Sequence, residues 1–157
     1  ATVLIANVGD FKPDRAVGFV YVVTDPACPH CRSLLLKLEH TALESGIEIK
    51  VILFPVLGPQ SRDMAAHVIC SSHSFAQYTR NKIATDPTSC DRAEQLLSKT
   101  EPFFRSAGLS FVPLVIGEKG AWIVDDNNIE KVRARLGMDS KQGDSESGSV
   151  CAPDPSQ

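Results

Sequence analysis

The chain has 157 residues, 43% of them hydrophobic and 22% charged, with a formal net charge of -3. That length and balance suit one domain with a packed core. The absence of a basic run argues against nucleic-acid binding through bulk charge. No apolar stretch approaches the roughly 20 residues of a membrane-spanning helix, so a membrane-embedded protein is not expected. No basic-then-apolar leader opens the chain, which is expected to be either a mature form or a trimmed one.

Val3-Leu4-Ile5-Ala6-Asn7-Val8 reads as a first strand, and Gly9 to Asp14 as a loop. Val17 to Thr24 is a nearly continuous apolar run of β-branched and aromatic residues, the pattern of a central strand buried on both faces. Pro26 ends it, and Pro29 stands where a first helical turn begins. Leu34, Leu35, Leu38 and Ala42 then form one apolar helix face, with Gly46 as its stop. Ile47 to Phe54 alternates and then turns wholly apolar, which predicts another strand. The result is a β-α-β unit.

The segment from about residue 59 to 107 reads as helical, with Met64, Val68, Ile69, Phe75 and Tyr78 as core candidates. Asp91 with Glu94 resembles a capping box, and Pro102 is expected to break or start a helix holding Phe103, Phe104 and Ala107, with Phe103, Phe104 and Trp122 read as further core residues. Leu114-Val115-Ile116 and Ala121-Trp122-Ile123-Val124 flank a glycine-bearing turn, a hairpin signal. Asn127 with Glu130 caps a last helix carrying Ile129, Val132 and Leu136. Residues 1–137 are thus expected to form the domain, and the polar tail 138–157 to be disordered.

The chemistry lies in Cys28-Pro29-His30-Cys31, between the second predicted strand and its helix. Two cysteines at this spacing make a dithiol that opens and closes as a disulfide. The carboxyl end of a strand is also where open α/β sheets place their chemistry. A free thiol has a pKa of about 8.5. A Cys28 thiolate at the helix start gains from the backbone N–H groups, the helix dipole and His30. In dithiols of this class the first cysteine is usually the exposed nucleophile and the second is recessed, so Cys28 is expected to be the attacking sulfur and Cys31 the resolving one. Lowering a thiol pKa from about 8.5 to about 3.5, the extreme for such motifs, corresponds to roughly 7 kcal/mol. The potential span of such enzymes, about 150 mV, is roughly 7 kcal/mol for two electrons as well. Thiolate stabilisation alone therefore suffices to make a strong oxidant, and the Pro-His pair leans that way.

Three plainer readings compete. Half a zinc site needs a second ligand pair, and Cys70 and Cys90 lack the close spacing. A Cu(I) site from Cys28, Cys31 and His30 is the metal-handling alternative. A purely structural Cys28–Cys31 disulfide closes too short a loop to gain much chain entropy. The chain has 5 cysteines. Cys70 and Cys90 are either a second pair or two buried thiols, and Cys151 is left in the tail as an exposed free thiol or, alternatively, as one half of an intermolecular disulfide. Asp25 reads first as a solvated turn residue and otherwise as a modulator of the dithiol. His40, His67 and His73 show no ligand spacing and are taken as surface or satisfied residues.

With the dithiol on a β-α-β unit, the chain resembles the thioredoxin superfamily. More narrowly, it resembles the catalytic domain of the DsbC/DsbG type of thiol:disulfide interchange protein. The matching segments are Val22-Val23-Thr24-Asp25-Pro26-Ala27-Cys28, Ile52-Leu53-Phe54-Pro55, Cys70 with Ser89-Cys90-Asp91, and Gly108 to Pro113. That family carries an N-terminal dimerisation domain and linker, whereas here only a short predicted strand precedes the catalytic core, so its dimeric cleft is not expected. Pro29-His30 and the Val112 preceding Pro113 are DsbA-like instead. The resemblance implies a thioredoxin-like α/β fold, a central mixed sheet flanked by helices, with a helical insertion at about 59–107. It implies a structural Cys70–Cys90 disulfide, a cis Pro113, and a substrate strand held by Val112 and Pro113. The implied activity is oxidase-leaning thiol:disulfide exchange on protein substrates in the periplasm, after loss of a signal peptide. A membrane redox partner would sustain it, with no organic cofactor, no metal and no nucleic acid. The alternatives are an isomerase or reductase kept reduced by that partner, and a copper-handling module.

Overall fold

The apolar run before the dithiol forms β1 (Gly18–Thr24), and the alternating run after the first helix forms β2 (Ile47–Leu53). The computed structural model describes residues 9–117, 120–122, 130, 134 and 150–154. The expected strand at 3–8 therefore lies outside the described residues. So does the expected last helix, except for Glu130 and Ala134, which are both helical.

β1 and β2 run parallel, Gly18 opposite Ile47 through Thr24 opposite Leu53. Between them runs α1 (Pro29–Ser45). Leu34, Leu35, Leu38 and Ala42 are its buried stripe, while Leu36 and Leu43 on the other faces are exposed. Gly46 ends the helix in the left-handed region at φ 69°, and a Cβ there would lie 2.6 Å from the Arg15 carbonyl oxygen. Only glycine fits such a corner without displacing backbone.

After β2 the chain makes α2 (Pro59–Cys70), α3 (Phe75–Arg80) and α4 (Asp91–Ser106), then returns as β3 (Leu114–Gly117) and β4 (Gly120–Trp122). The sheet order is β2-β1-β3-β4, with β3 antiparallel to both β1 and β4. On the outer side of β2, Phe11 exchanges two 2.9 Å backbone hydrogen bonds with Ile49.

Strand side chains alternate between two apolar clusters. Val20, Val22, Ile49, Val51 and Leu53 pack with α1, with α2 and α3, and with Ala93 and Leu97 of α4. Val23 and Ile52 point the other way, into a smaller cluster with Phe54, Phe104, Leu109 and Val112. This two-sided burial is why β1 reads as an unbroken apolar run.

Three local expectations are corrected. Asp91 is not the cap of α4: the N-cap is Cys90, and Asp91 sits inside the first turn, where its charge favours the helix dipole. The full capping box is instead at Ser74, whose hydroxyl accepts from the Gln77 N–H while the Gln77 side chain accepts from the Ser74 N–H. Pro102 neither starts nor breaks α4. It lies within the helix at an exposed position, where the carbonyl it leaves unpaired meets solvent. Phe103 is 44% exposed rather than core.

Candidate redox site

β1 ends at the site. Its last residue, Thr24, accepts a 2.8 Å hydrogen bond from the Phe54 N–H, which carries the β1–β2 pairing past the strand end. The chain then turns through Asp25, whose carbonyl accepts from the Cys28 N–H at 3.0 Å. Cys28 is the N-cap of α1 with extended backbone, and Pro29 supplies the first helical residue. Cys28 therefore stands at the positive end of a 17-residue helix. His30 follows, half-buried, and Pro29 is exposed.

Asp25 is not a solvated turn residue. It is buried, and its carboxylate accepts four hydrogen bonds. Oδ1 takes the Ala27 N–H at 2.8 Å and the Ser61 hydroxyl. Oδ2 takes the N–H groups of Val56 and Leu57 at 2.8 and 3.1 Å. One side chain thus ties the turn before Cys28 to the loop after β2 and to the start of α2. A buried carboxylate needs such partners, and donors more than 30 residues away leave no local trace in the sequence.

Cys31 is a free, fully buried thiol on the first turn of α1. Burial pushes it up to about 12, against hydrogen bonds from the Asp25 backbone and the Thr24 side chain that favour the thiolate. The Thr24 hydroxyl also lies 3.1 Å from the phenol oxygen of Tyr78. Tyr78 is fully enclosed, and burial raises its phenol well above the ordinary value. Expected only as core, it closes a polar chain from Tyr78 through Thr24 to Cys31.

The cysteine pairing differs from the expectation in one respect. Cys28 is joined not to Cys31 but to Cys151, 123 residues away, with the two Cα atoms 6.1 Å apart. Cys151 is accordingly neither free nor exposed, and Cys28 in this state is 1% exposed, not an open nucleophile. The tail is held by its backbone as well. The Val112 N–H donates to the Cys151 carbonyl at 2.9 Å, and the Cys151 N–H donates to the Val112 carbonyl at 2.6 Å, a two-bond antiparallel bridge. Val112 is buried in the cluster that holds Cys28 and Cys31, with Cys151 packed against its edge. The Val112–Pro113 peptide bond is cis. The chain between β4 and residue 150 is almost wholly outside the described residues, but 150–154 are placed, so the expectation of disorder does not hold for them. The odd cysteine count, and an apolar Val150-Cys151-Ala152-Pro153 in a polar tail, were the available signals.

Cys70 and Cys90 form a disulfide between the last residue of α2 and the cap of α4. His67 and His73 meet edge to face with centroids 5.5 Å apart. Among the described residues Nδ1 of His73 is buried without a hydrogen-bond partner, where a surface or satisfied residue is expected. Among the described residues no three His, Cys, Asp or Glu side chains gather to hold a metal ion, and no helix is long and apolar enough to cross a membrane.

No protein-family model matches the chain, and no curated protein matches it by sequence. Solved structures do. A periplasmic thioredoxin-like protein from Salmonella enterica serovar Typhimurium superposes with a TM-score of 0.64 at 15% identity, covering 84% of this chain and 88% of that one. A disulfide interchange protein from Neisseria gonorrhoeae gives 0.60 at 13% identity, covering 85% and 97%. DsbG of Helicobacter pylori gives 0.55 at 17% identity, covering 71% of this chain and 55% of that one. The architecture is therefore thioredoxin-like: a mixed four-stranded sheet flanked by helices, with three helices between its second and third strands.

Proposed function

We propose that the chain is a thiol:disulfide oxidoreductase acting on cysteine-containing protein substrates, with Cys28 as the attacked and leaving sulfur and Cys31 as its resolving partner. One observation carries this reading. Cys28 caps the amino end of α1 at the carboxyl end of β1 and is bonded to a cysteine whose backbone is paired with Val112. A sulfur that accepts an extended cysteine segment there has the geometry that disulfide exchange requires.

In the oxidising direction the active state carries a Cys28–Cys31 disulfide. A substrate thiolate attacks the Cys28 sulfur, the Cys28–Cys31 bond breaks, and Cys31 leaves with the electron pair and takes a proton. A second substrate thiolate then attacks the substrate sulfur of the mixed disulfide. Cys28 departs as a thiolate stabilised by the helix start and by His30. Two electrons pass from substrate to enzyme, and a membrane redox partner removes them. Val112 holds the substrate main chain, Pro113 shapes that edge, and Asp25 fixes the turn that aims Cys28. Exchange needs no metal and no organic cofactor. The fold shared with a periplasmic thioredoxin-like protein and with a disulfide interchange protein supports the class and a periplasmic location. The DsbA-like Pro29-His30 pair supports the oxidase lean over isomerase or reductase.

The test is a mixed-disulfide assay of the fully reduced protein with a peptide that carries a cysteine disulfide. Cys28→Ser abolishes adduct formation, and Cys31→Ser, made together with Cys151→Ser so that no second thiol resolves it, traps the adduct at Cys28. Titration against glutathione fixes the direction: a potential near −120 mV marks an oxidase, one near −270 mV a reductase. An undiminished adduct in Cys28→Ser would refute the assignment.

A further inference from the structure

The docked tail is a feature that the exchange cycle does not use. Three contacts hold it: the bond from Cys151 to Cys28, the two main-chain hydrogen bonds to Val112, and packing of Cys151 on the cluster around the site sulfurs. Together they occupy the attacked sulfur and the main-chain edge that a client segment would need. With the tail in place Cys28 is 1% exposed, closed to a client thiolate.

We infer that residues 150–154 are a built-in pseudosubstrate and Cys151 a third redox cysteine, which competes with protein clients for Cys28. This rests on the oxidoreductase reading above and adds to it a regulator and a substrate form: a cysteine in an extended segment, paired through its own main chain with Val112. Opening is redox-neutral. The Cys31 thiolate attacks the Cys28 sulfur, the Cys28–Cys151 bond breaks, and Cys151 leaves with the electron pair and takes a proton, which yields Cys28–Cys31 and a free tail. Closing is the reverse attack by Cys151. Making the first disulfide from the three thiols takes two electrons to an external disulfide, such as glutathione disulfide.

A cysteine tethered on the same chain competes at an effective concentration on the order of 1 mM. Against a client peptide at about 10 µM, the tail therefore holds exchange back roughly 100-fold. Two measurements on the full chain test this. Acid-quenched, alkylated and digested oxidised protein is expected to yield a peptide linked through Cys28 and Cys151. Oxidised Cys151→Ser is expected to form the client adduct roughly 100-fold faster than wild type. A synthetic peptide of residues 148–156 should slow that variant more than a scrambled peptide with the same cysteine, which shows that its fold and docking edge are intact. Linkage through Cys28–Cys31 alone overturns the inference. So does exchange in Cys151→Ser at the wild-type rate, or equal inhibition by the two peptides. If the Cys28–Cys151 link is present but neither wild type nor Cys151→Ser exchanges with any client, the oxidoreductase reading falls and the competitor role falls with it.

Discussion

Replacing Asp25 with alanine removes four accepted hydrogen bonds in one step. Their fates differ. The Leu57 N–H lies on an exposed residue and regains water. The Ser61 hydroxyl is buried and left stranded, and the N–H groups of Ala27 and Val56, on half-buried residues, regain water only in part. A stranded buried group costs about 1–3 kcal/mol, so Asp25→Ala should cost about 4 kcal/mol once the small void is included. Asp25→Asn should cost much less. Its remaining oxygen serves Val56 and Leu57, and the Ser61 hydroxyl rotates to accept from the new amide, which leaves only the Ala27 N–H opposite a donor. That is about 1–2 kcal/mol. Urea unfolding with both disulfides intact checks the pair. With a slope of about 2 kcal/mol per molar, the alanine midpoint falls by roughly 2 M and the asparagine midpoint by less than about 1 M. Equal shifts for the two variants, or an alanine shift under about 0.5 M, would refute the four-bond account.

Migration of the disulfide from Cys28–Cys151 to Cys28–Cys31 needs the Cys31 thiolate. With that thiol pushed up to about 12, the rate should rise about tenfold per pH unit from pH 7 to 11; acid-quenched mapping measures it, and a flat profile contradicts the buried, protonated thiol. The same raised value makes the folded state hold its proton longer than the unfolded one. Its contribution to stability is therefore complete below pH 9 and lost as the pH rises toward 12, which alkaline denaturation of the tail-linked protein reads out. Cys70→Ala/Cys90→Ala opens a loop of sequence separation 20 between α2 and α4 and should cost about 3 kcal/mol in the chain-entropy model, measured by denaturant midpoint. Tyr78→Phe strips the Thr24 hydroxyl of its phenol partner and should cost about 1 kcal/mol, with a loss above about 3 kcal/mol pointing to a role beyond that bond.

What the sequence reveals divides by the range of the contact that makes it. The two-sided burial of β1, the stripe of α1, its stop at Gly46 and the β3–β4 pairing are written in neighbouring residues and periodicity, and they are read correctly. The capping box at Ser74 and Gln77 is equally local and is overlooked in favour of Asp91, because an acidic residue before an apolar pair is a stronger surface cue than a short six-residue helix. The site itself is only half legible. Cys28 and Cys31 declare themselves by spacing. Asp25 looks like a turn residue because its partners at 56, 57 and 61 belong to another loop. Tyr78 looks like core because nothing near it in sequence tells of Thr24. Cys151 is hidden in a long polar tail, and only the uneven thiol count and its short apolar flank hint that it has somewhere to go.

Val112 hydrogen-bonds the tail through its amide and carbonyl, and Ala152 and Pro153 stay exposed. A clamp made only of peptide groups is indifferent to the letters of the strand it grips. Under the proposed exchange role, selection at this edge would fall on shape and on a sulfur at the right step, and clients of unrelated sequence would be gripped alike.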